Sequence, residues 1–80
     1  MQLTKEQREQ IKNQYRLSPR ETQIVELILK GIESNSDIAK NLNVTLLSAK
    51  RYVHDLYSKM GTSTKLSIVL KILDSIHKYS

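Results

Sequence analysis

Residues 35–53, NSDIAKNLNVTLLSAKRYV, decide the fold of this 80-residue chain. They predict a short helix, a turn and the start of a second helix. Ala39 is the small residue needed where two such helices meet, and Asn43 tolerates a left-handed turn better than most residues. Apolar residues flank the turn and line the inner face of the second helix: Ile38, Leu42, Val44, Ala49, Val53 and Leu56. The ordered set predicts a helix-turn-helix, whose second helix has the geometry to enter the major groove of duplex DNA.

Capping residues predict the helix boundaries on the N-terminal side. SPRE at residues 18–21 predicts a helix start, because serine can cap, proline suits the first helical position and the glutamate completes a capping box. Gly31 predicts the end of that helix as a left-handed cap. Ser34 followed by Asp37 predicts a second capping box, which opens a short helix running from residue 35 to about residue 41.

Two longer helices are predicted after the turn. Thr45 can cap a helix that runs to Met60 and ends at Gly61. A final helix spans about residues 64–77. The residues before the capping box, 4–15, are helix-prone but very polar, so we expect a linker, a frayed arm or a helix that packs by one edge.

The helix predicted for residues 45–60 has two different faces at ~100° per residue. Its core face is apolar: Ala49, Val53, Leu56 and Met60, with Tyr52 beside them. The opposite face carries two cations, an imidazole, a hydroxyl and a leucine: Lys50, Arg51, His54, Ser58 and Leu47. Charged residues are ordinary on any solvent-exposed helix face, but exposure to water does not stabilise a leucine such as Leu47. Donors for guanine O6 and N7 beside an apolar group for a thymine methyl are typical of a base-reading face.

Positive charge is concentrated in one third of the chain. The net charge is +5, and residues 40–65 account for +4 of it, because they hold five bases against the single acid Asp55. The five bases are Lys40, Lys50, Arg51, Lys59 and Lys65. A basic excess packed into so short a segment favours a polyanion as the partner.

Length and composition exclude other classes of protein. The chain is one domain at most, and without cysteine it has no disulfide or thiolate metal site. No apolar run approaches the ~18 residues that span a bilayer, and the N-terminus lacks the apolar stretch of a signal peptide, so we expect a soluble cytoplasmic protein.

The sequence also lacks the patterns of an enzyme or a cofactor protein. His54 and His77 have no second ligand at metal spacing, and two glycines make no phosphate-binding loop, so we expect no catalytic residues, metal or cofactor. Tyr15 and Tyr79 are possible stacking platforms for single strands, but with no Phe or Trp in the chain they are better explained as ordinary anchors.

Taken together, these motifs resemble the LuxR-type (GerE, NarL/FixJ) helix-turn-helix family of bacterial transcription regulators. The resemblance covers residues 17 to about 73. The similar segments are LSPRE (17–21), the glycine at 31, SNSDIA (34–39), SAK (48–50), KMGT (59–62) and KLSIV (65–69). The combination is far more specific than any one segment.

That resemblance implies a four-helix LuxR-type domain over residues 17–80, preceded by a polar helical extension or linker over residues 1–16. It implies base contacts from Lys50, Arg51 and His54, to which the helix face adds Leu47. The expected phosphate contacts are polar or basic: Thr45, Ser48, Lys59, Asn35 and Lys40. The resemblance further implies binding of DNA as a dimer, often through the last helix.

The chain departs from the family pattern in three places. Three residues rather than two separate Gly31 from Asn35, which changes the loop between them. Tyr52 stands where a histidine is frequent, and Asp55 where an asparagine is frequent. Because phosphates repel a carboxylate, no DNA contact is carried over to Asp55.

The last predicted helix is apolar around most of its circumference. Ile68, Ile72 and Ile76 share one face and are assigned to the core. A second stripe is formed by three leucines: Leu66, Leu70 and Leu73. A helix that is apolar on two sides must be buried on both, either by residues 4–15 or by a second copy of the chain. We favour the second copy and expect a weak homodimer.

The leading hypothesis is therefore sequence-specific binding of duplex DNA by a transcription regulator or its effector domain. RNA polymerase or an upstream regulatory domain is a further expected partner. One alternative is a promoter reader similar to sigma-factor region 4, although the position of Gly31 and the ending after Gly61 favour the LuxR type. A second alternative is a basic helical protein-interaction module, which would not bind DNA in a salt-dependent way.

Overall fold

Five α-helices make up most of residues 2–79, the part of the chain that the computed structural model describes, with side chains described for residues 2–77. They are α1 (Lys5–Tyr15), α2 (Pro19–Leu29), α3 (Asn35–Leu42), α4 (Leu46–Met60) and α5 (Lys65–Tyr79). Residues 2–79 contain no strand, and the predicted all-α class is confirmed. None of these helices combines the length and apolarity needed to cross a membrane. The Tyr79 side chain, considered above for stacking, lies outside the described residues.

The ends of α2 are set by the residues that the sequence singled out. Ser18 accepts a hydrogen bond from the Glu21 backbone N–H at 3.2 Å, and its own N–H donates to the Glu21 carboxylate at 2.8 Å. Gly31, with φ of 92°, follows the last turn. Its N–H donates to the Ile28 carbonyl and the Ile32 N–H donates to the Leu27 carbonyl, which is the Schellman pattern of a glycine-terminated helix.

The turn between α3 and α4 has the left-handed residue that was predicted. Asn43 adopts φ of 56° and ψ of 48°, and the following Val44 N–H donates to the Ala39 carbonyl at 3.0 Å. Ser34 caps α3 by accepting from the Asp37 N–H, which is one of the two bonds of the predicted capping box. Thr45 caps α4. Together α3, the turn and α4 form the helix-turn-helix.

The core draws at least one fully buried side chain from each helix. The largest of these side chains are Ile11, Ile24, Val25, Ile38, Leu56, Ile68 and Ile72. α3 packs against α4, and α2 contacts α1, α4 and α5. The predicted core face of the helix over residues 45–60 is confirmed, because Ala49, Val53, Leu56 and Met60 are all buried. This packing leaves the opposite face of α4 in solvent.

α1 is a helix that packs by one edge, which is one of the three possibilities that the sequence left open. Ile11 is buried, and so is Leu3 just before the helix, a core residue that sequence analysis missed. The Arg8 guanidinium binds the Glu26 carboxylate through two nitrogens, with N–O distances of 2.6 and 3.3 Å. These contacts attach the polar helix to α2.

The two faces of α5 divide as predicted. Ile68 and Ile72 are fully buried and Ile76 is half-buried, whereas Leu66, Leu70 and Leu73 are 68%, 56% and 42% exposed. α1 does contact α5 but leaves this leucine stripe, Leu66–Leu70–Leu73, open to solvent. The idea that residues 4–15 cover the second apolar face is therefore wrong.

Candidate nucleic-acid interface

The outer face of α4 presents the four predicted base-contacting side chains together. Lys50, Arg51 and His54 are exposed, and Leu47 is 72% exposed. All four lie on the first three turns of the helix, which α3 and α2 hold from behind. Cationic donors, an imidazole and an apolar group thus project from a helix whose other side is anchored in the core.

Two hydroxyls stand at the N-terminus of α4. The Thr45 side chain accepts from the Ser48 N–H at 3.1 Å, and its own O–H donates to the Ser48 hydroxyl oxygen at 3.0 Å. Ser48 is half-buried, and its hydroxyl lies beside that of Thr45 at this end of the helix. Because the positive end of the helix dipole lies here too, this end of α4 suits an anion such as a phosphate.

Leu46 is an exposed residue that sequence analysis did not single out. It begins α4 directly beside Leu47 and is 46% exposed. Helical side chains lean toward the N-terminus and pack on the preceding turn of the same helix. A residue in the first turn has no such preceding turn, so its side chain stays exposed. The capping residue Thr45 was the signal that could have identified this position. The pair of leucines makes the leading end of α4 apolar as well as electropositive.

Lys59 has an internal partner that sequence analysis missed. Its Nζ donates to Oε1 of Glu21 at 2.7 Å, which ties the last turn of α4 to the first turn of α2. The Glu21 side chain is 4% exposed and that of Lys59 is 39% exposed. A phosphate contact by Lys59 would have to share the ammonium group with Glu21, so this residue has a structural role of its own.

The other two predicted phosphate contacts lie on α3. Asn35, the first residue of α3, is half-buried, and its Oδ1 accepts from Lys65 Nζ at 3.1 Å. That bond joins the N-termini of α3 and α5. Lys40 is exposed near the other end of α3, close to the turn. Lys40 therefore presents a charge to solvent, whereas Asn35 is neutral and already bonded to Lys65.

One acid lies beside the predicted base-reading face. Asp55 Oδ1 is 3.9 Å from His54 Nδ1, and both side chains are more than half exposed. A contact between two exposed side chains at this distance contributes little. Asp55 is exposed at the edge of this face, and because phosphates repel a carboxylate it is not assigned a DNA contact.

The pKa of Glu21 reflects its two partners. Burial is the largest single influence and raises the pKa, but the hydrogen bonds from Lys59 and Ser18 and the Lys59 charge together outweigh it. The pKa of Glu21 therefore lies below its ordinary value. Since the carboxylate is favoured in the folded state, its stabilisation is present above the ordinary glutamate pKa and is lost as pH falls through the folded value.

Glu21→Gln is expected to lower the free energy of unfolding by about 1–2 kcal/mol at pH 7, because it replaces two charge-assisted hydrogen bonds by weaker ones. The loss is no larger because water partly screens the Lys59 charge. Urea unfolding of parent and variant between pH 7 and pH 3 measures the effect. The difference should begin to shrink as pH falls below the ordinary glutamate pKa, and should go on shrinking toward pH 3 as the parent carboxylate is protonated. Glu33→Gln, at an exposed glutamate, is the matched control. A difference of constant size across this pH range would contradict the assignment.

The comparisons with known proteins agree with this geometry. The family model for bacterial regulatory proteins of the luxR family, GerE, matches residues 15–72, which are 58 of the 80 residues. Comparison with individual curated proteins and with solved structures found no match. The matched segment begins at the end of α1 and includes α2, the helix-turn-helix and the first half of α5. The chain therefore belongs to the LuxR family of bacterial regulatory proteins and carries its DNA-binding helix-turn-helix.

Proposed function

We propose that this chain recognises a specific duplex DNA sequence as a bacterial transcription regulator, or as its effector domain, with α4 in the major groove. The observation that carries the proposal is the outer face of α4, where cationic donors and a leucine are exposed together. The width of the major groove admits one α-helix, and each base pair shows a distinct pattern there. The family match favours this function over a reader of the sigma-factor type.

The side chains of α4 divide into proposed roles by their chemistry. Lys50 and Arg51 donate to guanine O6 and N7, and Leu47 contacts a thymine methyl group. His54, one turn further along, either donates or accepts according to its tautomer. These contacts carry sequence information, because they meet base edges rather than the backbone.

A second set of residues is proposed to position the helix on the phosphate backbone. The Thr45 and Ser48 hydroxyls lie at the electropositive end of α4, and Lys40 lies exposed near the turn. Asn35 and Lys59 belong to the same proposed set, but each already has a partner within the protein. We therefore expect Thr45, Ser48 and Lys40 to contribute most.

We also propose that the leucine stripe of α5 pairs two copies of the chain. Leu66, Leu70 and Leu73 are exposed side by side on a helix whose other face is core. A two-fold contact through this stripe would bury it and present two α4 helices to half-sites about one turn of DNA apart. The proposed regulatory function also implies a location in the bacterial cytoplasm. It further implies RNA polymerase or an upstream regulatory domain as a partner.

Binding to duplex DNA should weaken steeply with salt. For a dimer we expect the logarithm of the binding constant to fall with the logarithm of salt concentration with a slope of about −4 to −8, because each neutralised phosphate releases condensed counterions. Fluorescence anisotropy with a site selected from random duplexes, and with a random duplex as comparison, measures it. A slope near zero would overturn the proposal in favour of a protein-interaction module.

A further inference from the structure

Arg20 lies in the first turn of α2, where its charge gains nothing from its own helix. A cation near a helix N-terminus is disfavoured by the helix dipole. Its neighbour Glu21 is engaged by Lys59 and Ser18. In the part of the chain that the structure describes, none of the ion pairs involves Arg20. Neither the dipole of α2 nor an ion pair among the described residues therefore favours this exposed cation.

The Arg20 side chain crosses to the turn of the helix-turn-helix. Its Nη1 donates to the backbone carbonyl oxygen of Leu42 at 3.1 Å. Leu42 ends α3, where carbonyl groups lack partners within the helix and the dipole is negative. The next residue, Asn43, makes the left-handed turn into α4. Arg20 thus binds the end of α3, directly before the turn that sets the direction of α4.

The guanidinium group keeps further donors for a second partner. It carries five N–H groups in a planar fork, of which the Leu42 bond occupies one. The turn leads directly into the first turn of α4, which holds the proposed base contact Leu47. In a helix-turn-helix complex the first helix crosses the phosphate backbone while the N-terminal residues of the second contact base edges. Leu42 is the last residue of that first helix. The fork matches two oxygens of a phosphate.

We propose that Arg20 is both a positioning residue for the turn and a phosphate contact of the DNA complex. One N–H holds the Leu42 carbonyl, and the remaining donors bind a backbone phosphate beside the turn. α2 thereby becomes part of the interface, although none of its residues belongs to the set predicted from the sequence. The inference rests on the proposed DNA-binding function.

Arg20→Gln tests the phosphate role through the salt dependence of binding, because the glutamine amide still carries a donor for the Leu42 carbonyl but no charge for a phosphate. We expect affinity for the selected site and for random duplex to fall by a similar factor, about 5- to 30-fold for each protomer bound, as the loss of one charged hydrogen-bonding group per protomer predicts. The salt slope should become shallower by about 0.9 for each protomer bound. Lys30→Gln removes the same charge from the other end of α2, about 15 Å away, and should leave the slope unchanged. An unchanged slope for Arg20→Gln would overturn the proposal.

Arg20→Lys separates charge from the guanidinium fork. Lysine binds phosphate as a point charge but cannot hold the carbonyl and a phosphate with one planar group. We expect this variant to regain the parent salt slope but only part of the lost affinity. If it behaved like Arg20→Gln, the phosphate role would be wrong. If the parent itself bound without salt dependence, the proposed function would fail, whereas a steep parent slope that Arg20→Gln leaves intact rejects this inference alone.

Discussion

Lys50→Ala and Arg51→Ala should each cost ~1–3 kcal/mol of binding free energy at the preferred site, a loss of roughly 5- to 150-fold in affinity. The size of the effect follows from the loss of donors that meet base edges in a groove from which water is excluded. Both side chains are exposed on α4, so neither substitution removes a packing contact from the core. Binding measured on the selected site and on single-base variants of it gives the change in specificity.

The matched control is a cation expected to contact phosphate only. Lys40→Ala should weaken binding to all duplexes by about the same factor and leave specificity intact. Lys59→Ala is a poor control, because it would leave the buried Glu21 carboxylate without its ammonium partner and so reduce stability. If Lys50→Ala and Arg51→Ala kept the parent's preference for the selected site over random duplex, the assignment of the base-reading face to α4 would be wrong.

Leu70→Asp should reduce affinity for a duplex with two half-sites by about 100-fold or more, while changing affinity for a single half-site little. The expected loss is large because two linked binding events benefit from an effective concentration that disappears when the copies separate. Leu70 is 56% exposed between the fully buried Ile68 and Ile72, so the variant should keep its fold. Circular dichroism and thermal unfolding check that condition.

A second variant separates dimer loss from charge repulsion. Leu70→Gln removes the apolar surface without bringing a new negative charge to a DNA-binding protein, and it should show most of the same loss on two half-sites. Sedimentation of the free protein should show less self-association for both variants. If both bound the double site like the parent, the leucine stripe would not be the dimer contact. If Leu70→Asp unfolded the chain, Leu70 would be part of the core.

The boundaries and faces of the helices were determined by the sequence itself, because they depend on residues a few positions apart. Ser18, Gly31 and Asn43 cap or end helices through hydrogen bonds to their near neighbours, and the structure has each of them in its predicted place. The spacing of apolar residues likewise predicted which side of α4 is buried and which leucines of α5 are exposed. The fold class and the exposed outer face of α4 followed from these local patterns.

Only the tertiary structure decided which polar groups are paired across the chain. Lys59 meets Glu21 across 38 positions, Lys65 meets Asn35 across 30 and Arg20 meets the Leu42 carbonyl across 22. No periodicity links such residues, since their distance depends on how whole helices pack. Packing also turned the polar segment before residue 16 into an anchored helix, through Ile11 and the Arg8–Glu26 pair. The sequence identified cations suited to DNA, but folding determined that Lys59 holds two helices together and that Arg20 reaches the turn.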